Sequence, residues 1–219
     1  MRARRMMGDE RRDQIAQAVM EIAAEQGAGA LSIAAVASRI GVAPSALYRH
    51  YPSKDAMLSA TLDRMSERML ANVERARAFA AGPVEALERL LELQIELIRT
   101  SRGLPFFVFA EGLGRGAAHR DAFHALVRRF RARLAALFRE AQECGEARTD
   151  VPAENLAILF IGLYVPPAIL WNLSRGRFDI TAQARRAWAV FHDGIRLRGA
   201  AAPRRARRAR TPRRQEKTP

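Results

Sequence analysis

The stretch from Leu31 to Lys54, LSIAAVASRIGVAPSALYRHYPSK, constrains this chain more than any other. Ser32 can cap a short helix by accepting a hydrogen bond from an orphan N–H. Ile33, Val36, Ala37 and Ile40 then recur at helical spacing and define an inward face. Gly41 follows where the chain must turn, and positive φ costs least in a residue without a Cβ. Val42 is expected as a buried plug. Ala43 to His50 reads as a second short helix, with Pro44 tolerated in its first turn. Leu47 faces inward, which leaves Ser45, Tyr48, Arg49 and His50 facing outward. Pro52 closes this helix, Ser53 caps the next, and Lys54 lies in the first turn of that one.

This is the pattern of a helix-turn-helix. A helix fits the major groove of a duplex, where outward side chains meet base edges and phosphates. A phenol, an imidazole and an ammonium are donors suited to holding phosphates and fixing register. An ordinary helical hairpin with a polar face shares the local pattern, so spacing alone leaves both readings open.

The longer run Ile33 to Leu58, IAAVASRIGVAPSALYRHYPSKDAML, resembles the signature of the TetR family of bacterial transcription regulators. The matching parts are the I-A-x-x-A-x-x-x-G-V run, the L-Y-R-H-Y segment and the P-S-K that opens the next helix. Close resemblance covers about Arg11 to Met65; beyond it only the helix pattern and the length agree. The resemblance implies backbone contacts to DNA from Ser32, Tyr48, His50 and Lys54. It implies base or backbone contacts from Arg39, Pro44, Ser45 and Ala46, and the outward Arg49 joins this set. The family's recognition helix often opens with Ser-Lys-Gly-Thr or similar. Here the run is Ala43-Pro44-Ser45-Ala46, short of base-reading donors.

Net charge is +14, but it is concentrated at the two ends. Residues 1–12 carry net +3 and residues 196–219 net +9, so the folded body is nearly balanced. Residues 1–8 are expected to be a disordered basic arm. After Gly199 the sequence AAAPRRARRARTPRRQEKTP has no apolar residue larger than Ala apart from proline, so 199–219 is expected to be a disordered Arg-rich tail. Such a tail either solubilises the chain or clamps DNA without sequence preference, since each neutralised phosphate releases counterions.

Periodicity between these ends predicts an all-α fold of about nine helices. Asp9 to Gln26 carries Ile15, Val19 and Ile22 on one face. From Ser53 a long helix with Leu58, Leu62, Met65, Met69 and Val73 runs to about Phe79. The three-helix head thus spans residues 9–58, joined by this connecting helix to a C-terminal bundle over 83–198. In the bundle, Val84 to Thr100 is helical, Gly103 to Gly116 holds a short helix, and Ala117 to Gly145 is strongly amphipathic. Pro152 to Arg175 is the most apolar segment, and Ile180 to Leu197 is the last helix. Pro166-Pro167 predicts a kink near Leu163. Leu156 to Leu173 alone approaches the ~18 apolar residues of a membrane span, and the proline pair argues for a bundle helix instead.

The resemblance implies that the last two long helices pair with their copies in a four-helix bundle, and DNA readers of this type use two half-sites. Leu156, Leu159, Ile169, Trp188 and Phe191 are the candidate dimer residues. It also implies a small molecule held in the C-terminal bundle that changes the separation of the heads. Pockets are mostly apolar with a few placed polar groups, and the candidates are Gln94, Phe107, Glu111, Phe123, His124, Phe130, Phe160, Tyr164 and Trp171. Plain core packing accounts for the same aromatics.

The expected protein is a cytoplasmic homodimeric regulator with no membrane partner and no cofactor. It is a repressor released from a near-palindromic operator by a small apolar or aromatic effector. The alternative is a DNA-binding regulator or nucleoid-associated protein without an effector. An enzyme is not expected. There is no Gly-rich phosphate loop, His119 and His124 miss the i, i+4 spacing of paired ligands, and Cys144 has no evident base.

Overall fold

The computed structural model describes residues 2–101 and 117–196. Helix α1 (Arg2–Gln26) begins at Arg2 rather than Asp9. The basic start expected to be disordered is thus helical along its backbone: Arg, Ala and Met are good helix formers, no proline interrupts, and only Gly8 opposes. A single 3-10 turn (Ala28–Ala30) leads into α2 (Ile33–Arg39) and α3 (Pro44–Tyr48). Ile15, Val19 and Ile22 of α1 close with Val36, Leu47, Leu58 and Leu62 into the core of the head.

Helix α4 (Lys54–Ala78) belongs to two cores. Its first half contributes Leu58 and Leu62 to the head, and its second half contributes Leu70, Val73 and Ala76 to the body. Between them lies a small cluster of Met20, Met65 and Leu97, with Met69 packed on it. Unbranched thioethers fill such irregular seams at little cost.

The body consists of α5 (Pro83–Thr100), α6 (Ala117–Glu143), α7 (Ala153–Gly162), α8 (Val165–Leu173) and α9 (Ile180–Ile195). Asp179 caps α9 by accepting from the Ala182 N–H at 2.9 Å. The expected apolar segment is interrupted at Leu163 and Tyr164, where the proline pair predicted a kink. Both prolines fall in the first turn of α8, whose N–H groups would lack intrahelical partners in any case. Ala153–Leu173 is the one stretch among the described residues long and apolar enough to cross a membrane, and this break divides it. Phe160 sits at the centre of the body core, ringed edge-on by Phe138, Tyr164, Trp188 and Phe191. The short helix expected within Gly103 to Gly116 and the Arg-rich tail lie outside the described residues.

Candidate nucleic-acid interface

Capping sets the local geometry of the head. Ser32 Oγ accepts from the Ala35 N–H at 3.0 Å and starts α2. Gly41 adopts φ +70°, and the Val42 N–H donates to the Ala37 carbonyl at 2.9 Å, which locks the turn. Pro44 opens α3, which has no side-chain cap. Ser53 Oγ then accepts from the Ala56 N–H at 3.1 Å and starts α4, with Asp55 in its first turn beside the positive end of the helix dipole.

These turns hold α3 by its one buried side chain, Leu47. Pro44, Ser45, Arg49 and His50 are exposed, Ala46 is half-buried, and Tyr48 is 55% exposed although it is a large aromatic. Ser32 is exposed at the start of α2, and Lys54 is half-buried at the start of α4. Val42, expected as a buried plug, is half-buried, because the turn that carries it stays at the surface. The helix ends at Tyr48, two residues before the expected His50, so the exposed phenol on α3 and the exposed guanidinium and imidazole in the turn that follows it form a surface able to meet phosphates and base edges.

Arg39 is engaged elsewhere. Its guanidinium donates to Glu25 at 2.8 Å and to Glu21 at 3.3 Å, both on α1. The Glu25 carboxylate, then Glu21, raise its pKa above the ordinary arginine value, so it stays charged. The residue expected to contact DNA is therefore also ion-paired within the head, to α1, while remaining exposed. Its two partners lie 14 and 18 residues away in sequence, and no local pattern connects them to it.

Two further arginines flank the interface. An open groove of about 670 Å³ runs between α1 and α4 and is lined by Arg11, Arg12, His50, Tyr51, Ala60 and Arg64, among others. Burial raises the Tyr51 phenol pKa in spite of Arg12 nearby. The available signal was the Arg-Arg pair at positions 11 and 12, which the charge count took only as part of the net +3 of residues 1–12. The groove is braced behind by Arg64, which donates to Asp13 at 2.6 and 3.1 Å. Arg64 is the main cause of a lowered Asp13 pKa.

In the body, the candidate ligand residues separate. Gln94 is buried, and its amide donates to the Met69 carbonyl at 3.3 Å, which ties α5 to α4. Phe130, Phe160 and Tyr164 are buried in the core, where desolvation raises the Tyr164 phenol pKa. Phe123 is half-buried and His124 exposed, their rings 6.4 Å apart. Trp171 is half-buried beside Gly176. Phe107 and Glu111 lie outside the described residues. A different open groove, about 490 Å³, lies among α4, α5 and α9; Phe79, Leu93 and Trp188 line it together with Arg75, Glu92 and Arg185. None of the seven candidates among the described residues lines this groove.

The candidate dimer residues also separate. Leu156 and Trp188 are 2% and 7% exposed and belong to the protomer's own core, and Phe191 is half-buried against it. Leu159 and Ile169 are exposed, and with them Ile158, Leu170, Leu173 and Val190, all on α7, α8 and α9. Periodicity did not single out Ile158, Leu170 and Leu173 because both faces of α7 and α8 are apolar.

Comparison with known proteins gives the same two parts. Residues 15–61 match the family model described as bacterial regulatory proteins, tetR family. Residues 82–197 match the C-terminal domain model described as transcriptional regulator SbtR-like. The nucleoid occlusion factor SlmA of Vibrio vulnificus is 26% identical over 188 residues, 85% of this chain and 96% of that protein. SlmA of Aliivibrio fischeri is 33% identical over 95 residues, 43% of this chain, and the match spans about half of that relative's length, 48%. Among solved structures, FadR of Bacillus subtilis in complex with stearoyl-CoA superposes with a TM-score of 0.70 at 19% identity, covering 83% of this chain and 98% of that one. That likeness is one of fold.

Proposed function

Because the chain belongs to the TetR family of bacterial regulatory proteins, we propose that it is a cytoplasmic homodimeric repressor whose two heads bind a near-palindromic DNA operator. A small apolar or aromatic effector held in the body releases it. The observation that carries DNA binding is α3 itself. Leu47 anchors it, and Ser45, Tyr48, Arg49 and His50 are left exposed beside the capped starts of α2 and α4. Tyr48, His50, Ser32 and Lys54 contact phosphates, and Pro44, Ser45, Ala46 and Arg49 lie against base edges or backbone. Arg11 and Arg12 extend the phosphate contacts along the adjoining groove.

The exposed apolar side chains of α7, α8 and α9 support pairing of two copies through these helices. Symmetry then spaces two recognition helices for two half-sites. The effector reading is supported by the stearoyl-CoA complex of a regulator with the same fold. The second reading, DNA binding without an effector, is favoured by the core positions of Phe130, Phe160 and Tyr164 and by the likeness to a nucleoid occlusion factor over most of the chain.

Selection of bound duplexes from a random pool, repeated with a metabolite extract, tests both. One enriched near-palindrome that is lost on adding extract is expected. Enrichment insensitive to extract supports the second reading, and no enrichment at all refutes sequence-specific recognition.

A further inference from the structure

A continuous polar chain links the body to the helix-turn-helix without passing through α4. It starts at the C-terminal end of α5, where the carbonyl of Thr100 is one of the last in the helix and has no intrahelical donor to satisfy it. The donor comes from the head: Gln17 Nε2, on α1, reaches that carbonyl at 3.0 Å. The same amide donates to Glu21 Oε1 at 3.0 Å. The other oxygen of Glu21 accepts from Arg39 at 3.3 Å, and Arg39 reaches on to Glu25 at 2.8 Å. Arg39 is the last residue of α2, one residue before the turn that orients α3.

Beside the first link, the apolar contact between head and body is the seam of Met20, Met65 and Leu97. Methionine side chains repack readily, so this seam tolerates sliding. The polar bonds are directional and set the register. The next residue along α5's exit, Ser101, is fully buried, and its hydroxyl has no hydrogen-bond partner among the described residues. A buried unpaired hydroxyl costs free energy, which a shift of the end of α5 that satisfied Ser101 would recover.

We propose that the chain Thr100–Gln17–Glu21–Arg39 carries displacement of the end of α5 to α2, and that Arg39 is a positioning residue of the head rather than a DNA contact. The proposal rests on the reading of the chain as an effector-gated DNA binder and gives that reading a route. An effector that moves the end of α5 pulls on α1 through one side-chain amide. The helix-turn-helix then loses part of its preorganised population, and apparent affinity falls in proportion.

The test uses the full-length protein and the variants Gln17→Leu, Arg39→Gln and the two combined. Backbone hydrogen exchange without DNA is read over residues 33–48, and operator titrations are run at several salt concentrations. Gln17→Leu is expected to speed exchange in α2 and α3 roughly two- to tenfold and to weaken operator binding by a similar factor. Arg39→Gln is expected to leave the slope of log K against log salt unchanged, because no phosphate contact is lost. The double variant should be no worse than the more affected single one, since both cut one chain. Arg39→Lys, which keeps an ion pair, should restore part of the affinity.

Three results overturn the proposal: exchange that speeds only around Thr100, additive losses in the double variant, or an Arg39→Gln slope reduced by about one charge. A parent protein that binds no duplex removes the DNA-binding reading alone, because the exchange measurement still decides whether the two ends communicate.

Discussion

Replacing Phe160 with alanine asks whether the aromatic side chains of the body are core or pocket. The ring is fully buried. It lies 6.2 Å from Phe138, 6.3 Å from Tyr164, 6.3 Å from Trp188 and 6.2 Å from Phe191, edge-on to each. Truncating a buried Phe to Ala costs about 3–5 kcal/mol, through lost transfer free energy and the cavity left behind. Each edge-on pair alone adds about 0.5–1.5 kcal/mol beyond area, but the four share one ring and do not sum. The upper part of the range, about 4–5 kcal/mol, is therefore expected. That is a large share of the ~5–15 kcal/mol of a whole domain.

Phe160→Leu keeps most of the volume and forfeits the ring edges, so about 1–2 kcal/mol is expected. The assay is equilibrium denaturation in guanidinium at fixed protomer concentration, because dimerisation would couple stability to concentration. Tryptophan fluorescence reports on Trp188 beside the ring together with Trp171, and circular dichroism follows the helices in parallel. A loss below about 1 kcal/mol in Phe160→Ala would refute the core assignment. It would return Phe160 to the candidates for contact with an effector.

Tyr48→Phe and Lys54→Ala should each weaken operator binding by about 1–2 kcal/mol, equally across operator variants, because phosphate contacts carry little sequence information. Anisotropy titrations at fixed salt check this, and unchanged affinity in both variants refutes the interface. Leu173 and Val190 are 75% and 77% exposed, so Leu173→Glu combined with Val190→Glu should leave the protomer folded while shifting sedimentation from dimer to monomer. A persisting dimer would move the interface elsewhere. Asp13→Asn tests the brace behind the head. Arg64 holds the folded Asp13 pKa below its ordinary value, so the stabilisation is fully present above about pH 4 and disappears as pH falls through the lower folded value. The two side chains are 29% and 32% exposed, so solvent screening limits the effect to about 1 kcal/mol at neutral pH. The gap between parent and variant should close in acid, and a gap constant through the acid range refutes the pairing.

The helix-turn-helix was legible in the sequence because its determinants are local. Ser32 and Ser53 bond N–H groups three residues ahead, Gly41 supplies a positive φ, and Pro44 sits where a helix needs no N–H. The break near Leu163 was legible for the same reason: proline acts on its own backbone and on that of its neighbours.

Tertiary structure decided what depends on distant partners. Arg39 reads as an outward charge in its own helix, and only the packing of α1 against α2 brings Glu21 and Glu25 to it. Leu156 and Leu159 share one apolar helix, yet the first is core and the second surface. In a helix apolar on every side, hydrophobic periodicity carries no phase, so which stripe is buried is set by the neighbouring helices alone.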